Sequence, residues 1–106
     1  MTEEALHDVY SAIADPMRRQ VLGILAGGEY SVTALTSHFT VSRPAVSKHL
    51  AILREAGLVT ERKIGRERRY RLRAEPLREV RDWTDHFAQF WMAKLTALEK
   101  HLEEEP

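Results

Sequence analysis

A mainly α-helical fold with one small β-hairpin is predicted for this 106-residue chain, and three features of the sequence predict it. Apolar residues recur at three- and four-residue spacing through five segments, the periodicity of helices that pack by one face. One stretch, 58–73, instead alternates around a glycine, as two paired strands do. Asp15-Pro16, Gly27-Gly28 and Ser42 punctuate the helical segments with start and stop signals.

In chain order, Leu6, Val9, Tyr10 and Ile13 form the stripe of a short amphipathic helix that Asp15-Pro16 should end. Asp15 then caps a second helix with Pro16 at its first position, where a missing N–H costs nothing. Met17, Val21, Ile24 and Leu25 point inward along it, and Gly27-Gly28 is its exit. A short extended piece around 30–32 leads to a third helix from about Thr33 to Phe39. Thr40 and Val41 are left as the turn.

The fourth helix opens with Ser42 as N-cap. Val46, Leu50 and Leu53 share a narrow sector flanked by His49 and Ala56, which should face the core. Arg43, Pro44, Ser47, Lys48, Ala51 and Arg54 occupy the opposite sector. Short polar and cationic side chains near a helix N-terminus suit a rod laid in the DNA major groove. Arg43 can fork two hydrogen bonds to guanine, Ser47 can serve either base type, and Lys48 suits a phosphate.

Behind that helix, Leu58–Ile64 and Arg68–Arg73 bracket Gly65-Arg66-Glu67 as a hairpin whose glycine supplies positive φ. Tyr70 and Leu72 alternate inward, with Arg69, Arg71 and Arg73 on the other face. Arg66 and Arg68 are placed at the tip, where a cation can enter the minor groove or grip the backbone.

Charge reinforces this. The formal net charge is zero, but residues 43–73 hold ten cations against three acids, while 1–42 and 74–106 carry net charges of −3 and −4. A contiguous cationic third creates a field that a polyanion feels. Helix, turn, helix and basic hairpin together make a winged helix-turn-helix, with 33–57 as the helix-turn-helix, 58–73 as the wing and 75–102 as a C-terminal dimerisation helix.

From about residue 7 to 102 the chain resembles the ArsR/SmtB family of bacterial winged-helix repressors. The phrases that carry the resemblance are AIADPMRRQVLGIL, SVTALTSHFTVSRPAVSKHLAILREAGLV and GRERRYRL, with Trp83, Phe90 and Trp91 behind them. The resemblance implies a homodimer on an inverted-repeat operator and repression relieved by an inducer, often a metal ion. The inducer here is unknown. Carried over, Ser42, Arg43, Pro44, Ser47 and Lys48 fall on the family's recognition helix and Arg66 at its wing tip. Thr40 and Arg68 complete the candidate DNA-binding set, and His49 is left between DNA contact and a satisfied core histidine. Thr36 stands where a small alanine is common.

No metal site and no cofactor are expected. One family site needs a cysteine cluster in the third helix, and the chain has no cysteine, which also excludes disulfides and thiol redox chemistry. Another needs partners roughly eleven and fourteen positions beyond an early His of the last helix. From His86 these fall on Ala97 and Lys100. Asp82 with His86, and His101 with Glu104, offer only two ligands each, where zinc takes three or four.

The last helix should bury an apolar stripe in a homodimer. Leu77, Val80, Trp83, Phe87, Phe90, Trp91, Leu95, Leu98 and Leu102 advance by threes and fours over a length of roughly 39 Å. With Leu6, Val9 and Tyr10 of the first helix, the residues Trp83, Phe87, Phe90, Trp91, Leu95 and Leu98 form the candidate interface. Aromatics there can alternatively line a small-molecule pocket.

The remaining signals are exclusions. No stretch of about eighteen apolar residues exists and the start, MTEEALHD, is acidic, so the expectation is a cytoplasmic protein with no membrane partner. There is no glycine-rich phosphate loop, no cysteine nucleophile and no Ser-His-Asp set that spacing brings together, so no enzymatic activity is expected. The sequence thus predicts a transcriptional regulator that binds double-stranded DNA. A zinc-responsive sensor and a winged helix used purely for protein association are the alternatives.

Overall fold

Four short polar side chains punctuate the N-terminal half of the chain, each standing just before a helix and accepting one of its unpaired N–H groups. In the computed structural model, which describes residues 7–104, Asp8 accepts from Ser11 N at 2.8 Å and opens α1 (Val9–Ala12). Asp15 accepts from Arg18 N at 3.0 Å and opens α2 (Pro16–Leu25). Ser31 does the same for α3 (Val32–Thr36) through Ala34 N, and Ser42 for α4 (Arg43–Glu55) through Ala45 N. Leu6 of the expected first-helix stripe lies outside the described residues.

The helices bury one face each, and those faces meet. Val21, Leu35, Val46, Leu50, Leu53 and Leu58 are fully buried, with Val9, Ala12, Leu22, Leu25 and Val32 around them. Burying an aliphatic side chain of this size contributes about 1.5–3 kcal/mol, so this cluster fixes α4 against α2 and α3. Thr36 is accommodated without disturbing the motif, because its hydroxyl donates to Val32 O at 2.8 Å.

The third helix is shorter than its periodicity predicts. After Thr36 the chain tightens into i→i−3 bonds, His38 N to Leu35 O and Phe39 N to Thr36 O, both at 3.0 Å. Ser37 Oγ and His38 Nδ1 both donate to Ala34 O, at 2.6 and 3.0 Å, and so compete with the helical ladder.

The sheet has three strands where the sequence predicts two. β2 (Val59–Ile64) and β3 (Glu67–Leu72) form the hairpin, and β1 (Tyr30–Ser31) pairs antiparallel with the outer edge of β3. The register places Tyr30 opposite Tyr70 and Ser31 opposite Arg69. Across the hairpin, Ile64 faces Glu67 and Glu61 faces Tyr70. The turn is therefore two residues, Gly65-Arg66, and not the expected three. Gly65 has φ +63° while no non-glycine residue among the described residues has positive φ, the φ signs of a type II′ turn, which suits the strand twist.

The long final helix is also corrected. It is two helices, α5 (Leu77–Asp85) and α6 (Ala88–Glu104), broken at His86 and Phe87. Thr84 Oγ1 donates to Arg81 O at 3.0 Å and His86 Nδ1 to Trp83 O at 3.2 Å, while Phe87 N bonds Thr84 O three residues back. Side chains that bond nearby carbonyls loosen a ladder, and here two do so within three residues. α5 leans on the core through half-buried Leu77 and Val80, but α6 buries nothing. Its projection gives a Cα radius of gyration of 18.5 Å, against about 13 Å for a compact domain of 100 residues. No helix among the described residues is long and apolar enough to cross a membrane.

Candidate nucleic-acid interface

α4 has the two faces its sequence predicts. Val46, Leu50 and Leu53 have no exposed surface, while Arg43, Pro44, Ser47, Lys48, Ala51 and Arg54 are all exposed. Ser42, the cap, and Thr40, in the turn before it, are exposed too. With Ser42 Oγ accepting from Ala45 N, the first turn of α4 retains outward N–H groups and the positive end of its dipole. His49 sits at the edge of the buried face and is half-buried. Arg18 donates to its Nδ1 at 3.3 Å from α2, so it points to the interior side of α4.

Arg18 is itself a structural clamp. It donates to Ala12 O and Ser11 O at the end of α1, at 2.7 and 3.2 Å, before reaching His49. Asp15, held below the ordinary carboxylate value foremost by the Arg18 backbone N–H, closes this corner.

The paired cations of the hairpin are shared among three acids, which no local sequence signal predicts: Glu67 accepts from Arg69 Nε at 2.7 Å, and Glu29 and Glu61 take the others. Glu29 accepts from Arg62 Nε and Nη2 at 2.8 and 2.9 Å, with Arg69 at 3.8 Å. Those bonds from Arg62 hold the Glu29 carboxyl below its usual range. Glu61 accepts from Tyr70 Oη at 2.6 Å, Arg54 Nη1 at 2.7 Å and Arg68 Nη1 at 3.3 Å. The Tyr70 hydrogen bond first, then the two cations, hold Glu61 low against desolvation. Burial, then the adjacent carboxylate, pushes the Tyr70 hydroxyl up.

Arg68 is consequently not at the tip. It lies opposite Lys63, one rung behind the closing pair, on the face of the sheet that carries Tyr70. Arg66 alone of the two occupies the turn, and it is exposed. Among the described residues Arg43, Lys48, Lys63, Arg66 and Arg71 make no ion pair, whereas Arg54, Arg62, Arg68, Arg69 and Arg73 each do. Half of the ten cations in the basic block are thus engaged within the chain.

Between α4 and the hairpin lies a notch of about 600 Å³, walled by Arg43, Ser47 and Arg54 on the helix side and by Arg68 and Tyr70 on the wing side. Arg54, Glu61 and Tyr70 of this region are not among the candidate DNA-binding residues of the sequence. Helical spacing places Arg54 on the outward sector, and the signal that joins Glu61 to Tyr70 is the hairpin register, because a two-residue turn sets them opposite and a three-residue turn does not.

The candidate dimer surface is a separate matter. Trp83, Phe87, Phe90, Trp91, Leu95, Leu98 and Leu102 are between 42% and 62% exposed, so this apolar stripe is uncovered in a single chain. Trp83 stacks edge-on against Tyr10 at 6.0 Å and against Phe87 at 5.4 Å, and Tyr10 Oη donates to Glu79 O. Val9, by contrast, is 5% exposed and belongs to the chain's own core, which leaves little of it for a partner. Among the described residues no three His, Asp or Glu side chains gather as metal ligands. Asp82 is paired with Arg81 at 3.2 Å.

Comparison with known proteins matches this geometry to a family. Residues 15–61 match the model of bacterial regulatory proteins of the arsR family. The chain is 33% identical over 82 residues to the transcriptional repressor SdpR of Bacillus subtilis, covering 77% of this chain and 91% of that protein. It is 38% identical over 96 residues to the HTH-type transcriptional regulator Rv2034 of Mycobacterium tuberculosis, covering 91% and 87%. An ArsR-like transcriptional regulator from Rhodococcus sp. RHA1 superposes with a TM-score of 0.69 at 32% identity, covering 92% of this chain and 90% of that one. With a capped, two-faced fourth helix, a basic hairpin behind it and relatives matched over most of their length, the chain belongs to the ArsR family of winged helix-turn-helix, DNA-binding transcriptional regulators.

Proposed function

We propose that the chain is a homodimeric repressor that occupies an inverted-repeat operator and so occludes a promoter. One observation carries the reading: α4 is seated in the core by one face and offers Arg43, Pro44, Ser47 and Lys48 on the other, with neither cation paired to an acid among the described residues. Such a face can enter a major groove without first breaking a contact. In this reading Arg43 forks to guanine O6 and N7, Ser47 contacts a base edge, and Lys48, Thr40 and the capped helix start meet phosphates. Arg66 reaches the backbone or minor groove from the turn. His49 supports α4 from the α2 side.

Dimerisation is supported by the uncovered aromatic and leucine stripe of α5 and α6, a surface rich in the residue types that anchor interfaces. Two-fold symmetry then sets the two α4 helices about 34 Å apart, one turn of DNA.

Selection of genomic fragments by the purified chain, followed by a salt titration on the recovered site, tests the reading. The expected site is an imperfect palindrome, bound with log K falling against log salt by about 0.9 per phosphate neutralised. A salt-independent interaction would instead favour protein association. Sedimentation should show two chains, and Leu98→Glu should give one.

A further inference from the structure

We propose that Glu61 is a positioning residue for sequence discrimination: it fixes the wing to the recognition helix and presents Arg54 and Arg68 from opposite walls of the notch between them. The inference rests on the DNA-binding reading above. Its two carboxylate oxygens are divided between the two elements. Oε1 takes Arg54 Nη1 from the C-terminal half of α4, and Oε2 takes Tyr70 Oη and Arg68 Nη1 from β3. One side chain thus bridges α4 and the hairpin by hydrogen bonds and ion pairs.

The balance of burial and exposure suits that role. Glu61 is 19% exposed, whereas Arg54 and Arg68 are 57% and 61% exposed, so the acid is the fixed point and the cations are the presented groups. Each guanidinium gives one nitrogen to Glu61 and retains further donors, enough to hold a phosphate or a base edge. The 2.6 Å bond from Tyr70, whose ring is buried, orients the carboxylate and is of the short, charge-assisted kind. A carboxylate beside the path of a polyanion subtracts affinity by repulsion. What it supplies instead is geometry: the angle between helix and wing, and the direction of two cations that would otherwise rotate freely.

Opposite changes in affinity and discrimination follow when Glu61 is neutralised. In Glu61→Gln the amide still accepts from Tyr70, but Arg54 and Arg68 are released. Binding to random duplex should tighten about three- to tenfold at low salt, with a salt slope steeper by about one to two units as the two cations find phosphates. The ratio of operator to random-duplex affinity should fall by about tenfold or more, comparable to a mismatched base pair. Tyr70→Phe keeps the ring and both charges but loses the orienting hydroxyl. It should lower the same ratio about two- to fivefold with the slope unchanged.

The measurement is fluorescence anisotropy on the selected operator and a scrambled duplex across a salt series, with helical content checked by circular dichroism. Uniform weakening of both duplexes, or an unchanged ratio in folded Glu61→Gln, would overturn the proposal. Should Glu61→Gln not fold, the Tyr70→Phe ratio decides alone, and a wild-type value there overturns it. A wild-type chain with no salt-dependent affinity for any duplex would instead remove the DNA-binding reading on which the inference stands.

Discussion

Helix α4 and the hairpin hold their cations differently. On α4 Arg43 and Lys48 are exposed and make no ion pair among the described residues and Arg54 is paired to Glu61, while on the hairpin Arg62, Arg68 and Arg69 are held by Glu29, Glu61 and Glu67 and Lys63, Arg66 and Arg71 make no such pair. A count of charges treats all of them as footprint. The pairing shows two tasks: unpaired cations are free to meet a polyanion, and paired ones shape the surface that presents them. Specific reading should therefore be sensitive to α4, and the hairpin should act through its shape and through its three cations without an ion pair among the described residues, Lys63, Arg66 and Arg71, of which Arg66 stands at the turn.

The most damaging change should strike the seat of α4. Leu50→Ala removes a side chain with no exposed surface and should destabilise the fold by about 2–5 kcal/mol, read as a lower denaturant midpoint. If stability were unchanged, α4 would not be fixed by the core as described. Next in size, Arg43→Ala should lose about 1–3 kcal/mol of operator binding and relax preference at one base pair, whereas Arg62→Ala should leave that preference intact. Equal loss of discrimination in both variants would erase the distinction between the two regions. Arg66→Ala should weaken all duplexes evenly and reduce the salt slope by about one.

The smallest expected effect is on pH dependence. Glu29 and Glu61 have folded-state pKa values lowered from 4.5, so the native state favours their charged forms. Their contribution is present above the unfolded value and is lost as pH falls through the lower folded value. Urea midpoints measured between pH 6 and about pH 3 should decline, and Glu29→Gln should decline less because one of the two carboxylates is gone. A variant whose midpoint follows wild type throughout would show that the Glu29–Arg62 pair adds nothing, as exposed pairs often do.

How far the sequence could be read depended on how local each signal is. α4 was fully legible: cap, first-turn proline, apolar sector and outward cations all lie within fourteen residues and agree with one another. The start of α2 was legible for the same reason. The extended piece at 30–32 is legible, but its pairing as a third strand is not, because two residues carry no periodicity and their partner Tyr70 lies forty positions on. The hairpin is legible, but the sequence favours a three-residue turn whose register differs by one from that observed and does not pair Glu61 with Tyr70. Glu29 and Arg62 are thirty-three residues apart, so nothing local linked them. In the last helix, the three- and four-residue spacing of Trp83, Phe87, Phe90 and Trp91 continues across the break, and the apolar pattern alone cannot report Thr84 and His86 bonding back to the chain.

Ser31 belongs to two structures at once. Its backbone is the last rung of β1 against Arg69, and its hydroxyl caps α3, while the residue itself is buried. The wing therefore cannot swing outward without pulling the stopper from the helix that braces α4. If α4 and the hairpin meet a duplex as proposed, a surface braced in this way has little conformational freedom to surrender on binding.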